Sequence, residues 1–501
     1  MNGESAAEIE RKFELGPEQE LPALDSLATV TGTEEFDLVA TYYDTLHFAL
    51  TRAHVVLRHR LGGTDAGWHV KLAEADSEHR REHHAPPEAP RPPAALRELV
   101  AVPLDGQALL PVARVTNRRR QSELRDGDTL LAYLCDDHVQ AVAGDATQAW
   151  REAEVELVDG SHGFLDRVTD FLADAGVRVS PDASKIGRAL GGALAEDDRQ
   201  SAGVPSAGSV VFDYLSEQVG ALQEREAGVR VDEPDAVHRS RVATRRLRSA
   251  LRTFGAVFGD PEGQASALVE GEVPSASRLR RELKWYAAEL GAARDAEVLR
   301  DGLVEALDAL GVPSRAAERG LLVDRLTAEH AKAHDDLVAS MDTGRYDTLH
   351  SELVDFLVAR PTSAVASEPA VVELHGLLDK ARGRVATLYA RALDDPDDLR
   401  RWHEVRKAAK AVRYGAEALV PVLGDRASDH AALWEAVTDS LGEVQDTVVA
   451  RETVTRLADE QVAAGHEVGA FAALLAHEAE RCRAQLALGR QAVEAALAAS
   501  L

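Results

Sequence analysis

Three groups of residues have types and spacings that could do chemistry. The first is Glu8-Ile9-Glu10-Arg11-Lys12. On a β-strand alternate side chains share a face, so Glu8, Glu10 and Lys12 lie side by side while Ile9 and Phe13 face a core. Two neighbouring carboxylates are expensive to bury unless cations neutralise them. A single lysine neutralises one charge, and a divalent metal would neutralise the rest. Hard cations such as Mg²⁺ take one or two carboxylates and complete their shell with water and phosphate oxygens. The second group has the same alternation: Glu152, Glu154 and Glu156 share one face, with Ala153, Val155 and Leu157 opposite. The third is a pair of basic stripes. His238, Arg241, Arg245 and Arg248 recur in type and spacing as His403, Arg406, Lys410 and Arg413.

The elements that must carry these groups differ along the chain. Up to about residue 195 the pattern is strand-like. Val55 to Arg60 puts Arg58 and Arg60 on one face and Val55 and Leu57 on the other; Gly62-Gly63 turns the chain; Trp68 to Leu72 returns with Lys71 on its polar face. A strand near residues 114–120 reads with Arg114, Thr116, Arg118 and Arg120 together, although a run such as Arg118-Arg119-Arg120 is ordinarily solvated. A strand over 130–135 leads into Asp136-Asp137, and a helix follows from about Gly163 to Ala175, with Ser184-Lys185 soon after. Carboxylates thus sit at the two ends of this region and arginine and lysine between. If the sheet closes into a barrel, these faces line its interior. Arg and Lys match phosphate oxygens, and glutamates hold a metal that bridges phosphates. The combination predicts a metal–polyphosphate site. His69 reads as a packing or hydrogen-bonding residue, and His79, His83 and His84 are assigned no site.

Residues 196–209 are small and polar and read as a linker. From Val210 the periodicity is helical almost to the end, punctuated by proline and glycine, which predicts roughly ten helices. Besides the basic stripes, Leu290-Gly291-x-x-Arg294-Asp295 recurs as Leu441-Gly442-x-x-Gln445-Asp446. Two motifs repeated in the same order imply two homologous halves. Offsets of three, seven and ten keep each basic set on one helix stripe, and Arg252 extends the first, where the second has Glu417. Asp295 and Asp446 read equally as carboxylates that orient the basic residues and as structural ion pairs.

At 501 residues the chain exceeds one core, and its net charge of −28 argues against a general nucleic-acid coat. A local polyanion site on paired basic stripes is compatible with it. The two cysteines, Cys135 and Cys482, imply no disulfide framework and suit a reducing compartment. Neither a signal-peptide pattern nor an apolar run of about 20 residues is present, so the expectation is a cytoplasmic protein with no membrane partner.

The first region resembles the CYTH family of triphosphate tunnel metalloenzymes in Glu8-x-Glu10-x-Lys12, Tyr43-Asp44-Thr45, Arg58-x-Arg60, Lys71, Arg118, Glu152-x-Glu154-x-Glu156 and Ser184-Lys185. The second is similar to the CHAD family in the duplicated basic and Leu-Gly motifs, over about residues 207–498. Together they resemble two-domain CYTH–CHAD proteins such as the bacterial inorganic triphosphatases. The resemblance implies a multidomain chain, α+β followed by all-α. It gives an eight-stranded antiparallel β tunnel, open at both ends and with flanking helices, over 1–195, a linker over 196–209, and a pseudo-twofold pair of helical bundles over 210–498. It implies Mg²⁺ or Mn²⁺ as cofactor. Carried over by position, Glu8, Glu10 and Lys12 are catalytic, and Glu8, Glu10, Glu152, Glu154 and Glu156 hold metal. Lys12, Arg58, Arg60, Lys71, Arg118, Arg120 and Lys185 bind phosphate. The facing of Glu152, Asp136, Arg114 and Arg120 depends on strand register. His238, Arg241, Arg245, Arg248, Arg252, His403, Arg406, Lys410 and Arg413 are the expected polyphosphate contacts. The expected function is metal-dependent hydrolysis of inorganic tripolyphosphate or short polyphosphate in the tunnel, with long-chain polyphosphate held by the helices. The alternatives are a non-catalytic polyphosphate-binding or granule-associated protein, and a tunnel enzyme for an organic triphosphate: thiamine triphosphatase, nucleoside triphosphatase or adenylate cyclase.

Overall fold

The computed structural model describes residues 5–73, 79–89, 91–144, 146–182, 184–201, 203–259, 268–269, 272–310, 316–499 and 501. The chain divides into a first unit formed by Met1–Gly203, Gly263–Val273 and Leu357–Ala359 and a second formed by Val204–Glu262, Pro274–Phe356 and Arg360–Leu501.

The first unit is an antiparallel barrel. Its strands are β1 (Ser5–Leu15), β2 (Thr29–Asp44), β3 (Val55–Leu61), β4 (Gly67–Ala73), β5 (His79–Ala85), β6 (Leu110–Asp126), β7 (Thr129–Ala143), β8 (Ala146–Leu157) and β9 (Arg178–Val179). They are ordered β5-β4-β3-β2-β6-β7-β8-β1-β9, and β1 also pairs with β5. β1 does this by dividing its length: Ser5–Ile9 face β5 and Glu10–Leu15 face β8. Eight strands therefore close on themselves. The sheet has nine strands rather than the expected eight because the two-residue β9 adds to β1 at Phe13 and Glu14.

Alternation then separates two environments. The outer face is apolar where helices cover it. Phe13, Ala153, Val155, Leu124 and Leu134 pack against Phe164, Leu165, Val168 and Leu172 of α3 (His162–Asp174). Those four recur at helical spacing, and Ser161 caps the helix by accepting from the Phe164 amide. Each such burial contributes about 1.5–3 kcal/mol. Val55, Leu57, Trp68 and Val70 pack against Leu50 of α1 (Ala49–Arg52) and Leu96, Val100 and Leu104 of α2 (Ala94–Leu104). Asp44, in the Tyr43-Asp44-Thr45 motif, serves this outer layer. Its carboxylate accepts from the Thr45 and Leu50 amides, both at 2.7 Å, and from the Thr51 amide and hydroxyl at 2.8 and 2.6 Å.

The inner face is charged in the middle and apolar at one end. There Ala40, Tyr42, Ala113, Val115, Val139 and Ala141 pack against Ile186, Ala189 and Leu190 of α4 (Lys185–Ser201). α4 packs on the inner face at that end of the barrel.

The second unit has ten α-helices among its described residues: α5 (Ala207–Arg230), α6 (Ala236–Thr253), α7 (Ala276–Ala309), α8 (Ala316–Met341), α9 (Gly344–Ala359), α10 (Ala370–Leu393), α11 (Leu399–Ala418), α12 (Val420–Leu423), α13 (Asp425–Ala463) and α14 (Gly469–Ala498). The run α5–α6–α7–α8, each helix packed on the next, recurs as α10–α11–α13–α14. α6 packs on α11, which sets the two basic stripes side by side. The small polar stretch between the units is mostly helical: α4 continues to Ser201 and α5 begins at Ala207, capped by Ser206. Among the described residues no helix is long and apolar enough to cross a membrane.

Asp44→Ala leaves four donors without their acceptor. It is expected to destabilise the first unit by about 3 kcal/mol, read as an earlier urea transition of the full chain.

Candidate functional site

The charged interior of the barrel holds a cavity of about 260 Å³. Strand alternation puts Glu10 and Lys12 of β1, Arg58 and Arg60 of β3, Lys71 of β4 and Glu82 of β5 on its wall. Asn117 and Arg119 of β6, Glu154 and Glu156 of β8 and Lys185 of α4 complete it. Ser184 accepts from the Gly187 amide at 3.1 Å and so caps α4. Lys185, the first residue of that helix, points into the barrel.

One side of the cavity is a network of carboxylates and cations. Lys12 Nζ lies 3.0 Å from Glu10 Oε1 and donates to Glu154 Oε1. Lys185 Nζ lies 2.7 Å from Glu154 Oε1, 2.6 Å from Glu152 Oε1 and 2.9 Å from Asp137 Oδ2. Arg119 clamps Asp137 with two bonds of 2.8 and 2.7 Å and reaches Glu154 Oε2 with the same Nη2. Asp137 is 0% exposed and Glu154 is 4% exposed. Burial alone would raise both carboxyls. Lys12, Lys185 and Arg119 overcome it for Glu154, holding that group well below the usual carboxylate range. Asp137 is lowered against its burial by Lys185 and Arg119. Glu10 is likewise lowered, burial being outweighed chiefly by Lys12. The reciprocal effect holds Lys185 well above the usual lysine range against its own burial.

Asp137, Glu152 and Glu154 each bring an oxygen within 4.8 Å of the others. An all-oxygen donor set fits a hard divalent cation. The Lys185 ammonium lies among these oxygens, so a metal there would share or displace its contacts.

The other side is basic. Arg58 and Lys71 both face Glu82 at 3.6 Å, and Glu82 is held by His69 Nδ1 at 2.8 Å. Arg60 pairs with Asp65 in the β3–β4 loop. Gly62 makes that loop possible: its φ is +81°, and a Cβ there would sit 2.2 Å from the Asp37 carbonyl oxygen.

Of the expected tunnel residues, the structure brings together Glu10, Lys12, Arg58, Arg60, Lys71, Glu154, Glu156 and Lys185, with Glu152 directly behind them. The side chain of Glu8 lies outside the described residues. Arg118 and Arg120 are exposed on the outer face, as is Arg114, and Arg119 takes the inner position. The cause is a one-residue difference in facing. Ala113 and Val115 pack on α4, and with them Asn117 and Arg119 point inward. The same parity puts Asp137 inside with Val139 and Ala141, while Asp136 pairs outside with Arg151 at 2.9 and 2.7 Å. The apolar alternation of Ala113-x-Val115 and Val139-x-Ala141 carried that signal. Glu82 had no comparable signal.

In the helical unit a cleft of about 500 Å³ runs between α6, α7 and α11. Arg245, Arg248 and Arg252 come from α6, Arg280, Arg281 and Lys284 from α7, and Lys407 and Lys410 from α11; among the described residues no carboxylate lines it. Burial pulls Lys410 down to about 6, reinforced by Arg406, Arg245 and Arg241. Burial and then Arg280 lower both Arg248 and Arg252. Burial also lowers His238, with Arg294 and Arg245 adding to it, and His403, with Lys407 and Arg406 adding. Cations left to repel one another in this way suit an anion. His238, Arg241, His403, Arg406 and Arg413 do not line the cleft. Arg241 pairs with Asp295 at 2.8 Å, and Arg406 donates to the Thr438 carbonyl at 3.1 Å. Arg406 also crosses α13 at Gly442, where a Cβ would lie 2.7 Å from its Nη2. The Leu-Gly-x-x-x-Asp motif is thus a seat for the arginine of the partner stripe. Arg280, Arg281 and Lys284 were not anticipated, although their spacing places them on one stripe of α7.

The sequence matches the CYTH domain over residues 6–189 and the CHAD domain over residues 213–455. An uncharacterized protein of Mycobacterium tuberculosis, from strains CDC 1551 / Oshkosh and ATCC 25618 / H37Rv, is 35% identical over 510 residues, spanning 96% of this chain and 94% of the relative. PptA from Streptomyces chartreusis is 21% identical and matches 58% of this chain and 99% of its own, with a TM-score of 0.46. The CHAD domain of the plant Ricinus communis is 24% identical over 59% of this chain and 93% of its own, with a TM-score of 0.46.

Arg119→Ala strips Asp137 and Glu154 of a buried partner and is expected to cost about 3 kcal/mol or more at pH 7. Arg118→Ala and Arg120→Ala should stay within about 0.5 kcal/mol of wild type. The lowered carboxyls contribute stability above their unfolded pKa and lose it as pH falls. The Arg119→Ala deficit should therefore narrow as pH is lowered from about 4. Urea denaturation of the three variants across pH checks both statements.

Proposed function

The chain belongs to the family of two-domain proteins that join a CYTH domain to a CHAD domain, and on that premise we propose that it is a divalent-metal-dependent hydrolase of inorganic triphosphate or short polyphosphate whose helical unit binds long-chain polyphosphate. One observation carries the reading of the barrel: Arg58, Arg60 and Lys71 face the Glu10, Glu154 and Glu156 carboxylates across a single small cavity. Arginine and lysine accept the phosphate chain by charge-assisted hydrogen bonds. Arg58 and Lys71 both line the cavity, where their side chains would meet phosphate oxygens. Arg119, already braced by Asp137, adds a fixed cation. A carboxylate oxygen of Glu10 or Glu156 accepts the proton of the attacking water. Mg²⁺ or Mn²⁺, held by Glu10, Glu154 and Glu156 with Glu152 and Asp137 behind, would supply charge neutralisation at the phosphate oxygens. The boundaries at about 195 and 210, and a cytoplasmic location with or without association with polyphosphate granules, are part of the same proposal.

The test is phosphate release by the full chain from tripolyphosphate, thiamine triphosphate and ATP, with Mg²⁺ and Mn²⁺ in turn. Tripolyphosphate should be the preferred substrate, chelator should stop turnover, and Glu10→Gln should abolish it with the fold intact. Full activity in excess chelator, or no turnover of any triphosphate, would contradict the reading.

The helical unit should bind long polyphosphate with proton uptake. Lys410, His238 and His403 are lowered in the free protein, and bound phosphate adds negative charge that raises them. Protonation is favoured in the complex, so affinity rises as pH falls from about 8 to 6 and weakens with salt. Calorimetric titrations across that range check this. The pH dependence should shrink in Lys410→Gln, and also in His238→Gln/His403→Gln if the histidines share the effect.

A further inference from the structure

The two halves of the helical unit are related by sequence but not by charge. Aligning the repeated motifs sets Arg248 against Arg413 and Arg252 against Glu417 on α6 and α11. On α7 and α13 the same alignment, anchored at Leu290 and Leu441, sets Lys284 against Glu435 and Arg280 against Ala431. The consequences are visible in the pairing. Arg413 Nε donates to Glu417 Oε1 at 3.1 Å, its Nη2 to Glu435, and its Nη1 lies 3.5 Å from Asp439. Glu417 is itself secured by Arg246 at 2.7 Å and Tyr214 at 3.3 Å. In the first half, among the described residues, Arg248, Arg252, Arg280 and Lys284 have no carboxylate within ion-pairing distance, and all four line the basic cleft.

We propose that polyanion binding is one-sided: a linear phosphate chain lies along α6 and α7 of the first half, in the cleft whose edge is completed by Lys407 and Lys410 of α11, and the position in the second half equivalent to Arg248, Arg252 and Lys284 is closed by Glu417 and Glu435 on Arg413. This rests on the reading of the helical unit as a polyphosphate binder and specifies where and how many times it binds. Charge decides between the two positions. A phosphate chain in the first cleft relieves repulsion among cations that have no carboxylate partner among the described residues, Arg280 pressing on both Arg248 and Arg252. At the second position it meets three carboxylates and must first dismantle the ion pairs they make. Arg280 and Lys284 are exposed, so the chain reaches them without any rearrangement of the helices. Each helical unit therefore takes one chain and not two.

The experiment is calorimetric titration of the full chain with long-chain inorganic polyphosphate in chelator, at several salt concentrations. The variants are Arg280→Gln/Lys284→Gln and Arg413→Gln, with circular dichroism to confirm the helices. The double variant should bind about tenfold more weakly and reduce the slope of log affinity against log salt by about one to two. Arg413→Gln should leave affinity within about twofold and the slope unchanged. An unchanged double variant, or an Arg413→Gln loss as large as that of the double variant, overturns the one-sided site while leaving polyphosphate binding in place. Wild-type protein that binds no polyphosphate overturns both.

Discussion

The structure of the barrel depends on keeping several carboxylates ionised in a space that water barely reaches. Glu154 shows the constraint most sharply. At 4% exposure it would be driven to its neutral form, yet Lys12, Lys185 and Arg119 converge on its two oxygens. These three come from β1, from the start of α4 and from β6. The network therefore ties the closing strand, the helix packed at one end and the centre of the sheet to one side chain. A buried ion pair contributes little net stability compared with apolar packing, but removing one partner is costly. The barrel pays for folding through the apolar layers under α2, α3 and α4, and the network fixes which charges face the cavity.

The two units handle charge in opposite ways. In the barrel, six cations line the cavity beside five carboxylates, with Asp137 and Glu152 behind Lys185. The site is close to neutral before anything binds. A bare phosphate chain would leave a large excess of negative charge in a small space, and a divalent cation restores the balance. In the helical cleft eight basic side chains face one another, with no carboxylate among the described residues that line it. That surface attracts a polyanion directly and needs no metal. A chain with net charge −28 can support such a patch because its excess acid lies elsewhere.

Much of this was legible from local pattern. Period-two alternation at Glu10/Lys12, Arg58/Arg60 and Glu152/Glu154/Glu156 placed these residues on the inner face, and the duplicated stripes identified the two helical halves. The failures share a cause. In Arg118-Arg119-Arg120 and Asp136-Asp137 charge alone reads equally well in either register, and the choice was made by Ala113, Val115, Val139 and Ala141 packing on α4, a helix distant in sequence. Likewise the stripe motif marked Arg413 as an open cation, whereas Glu435 from another helix neutralises it. Arg280 and Lys284 complete the cleft because α7 packs beside α6. Local periodicity says which residues share a face; which face turns inward, and which partner stands opposite, is settled by tertiary packing.

The central claim is that the barrel's compensated charges are exchanged for a phosphate chain together with a divalent cation. Calorimetric titration of the full chain with tripolyphosphate, with Mg²⁺ or Mn²⁺ and then in chelator, tests it most directly; the Arg280→Gln/Lys284→Gln background reduces the contribution of the helical cleft. The account predicts a strong one-to-one association with the metal and a much weaker one without it. Equally tight binding of the bare anion in chelator would contradict it.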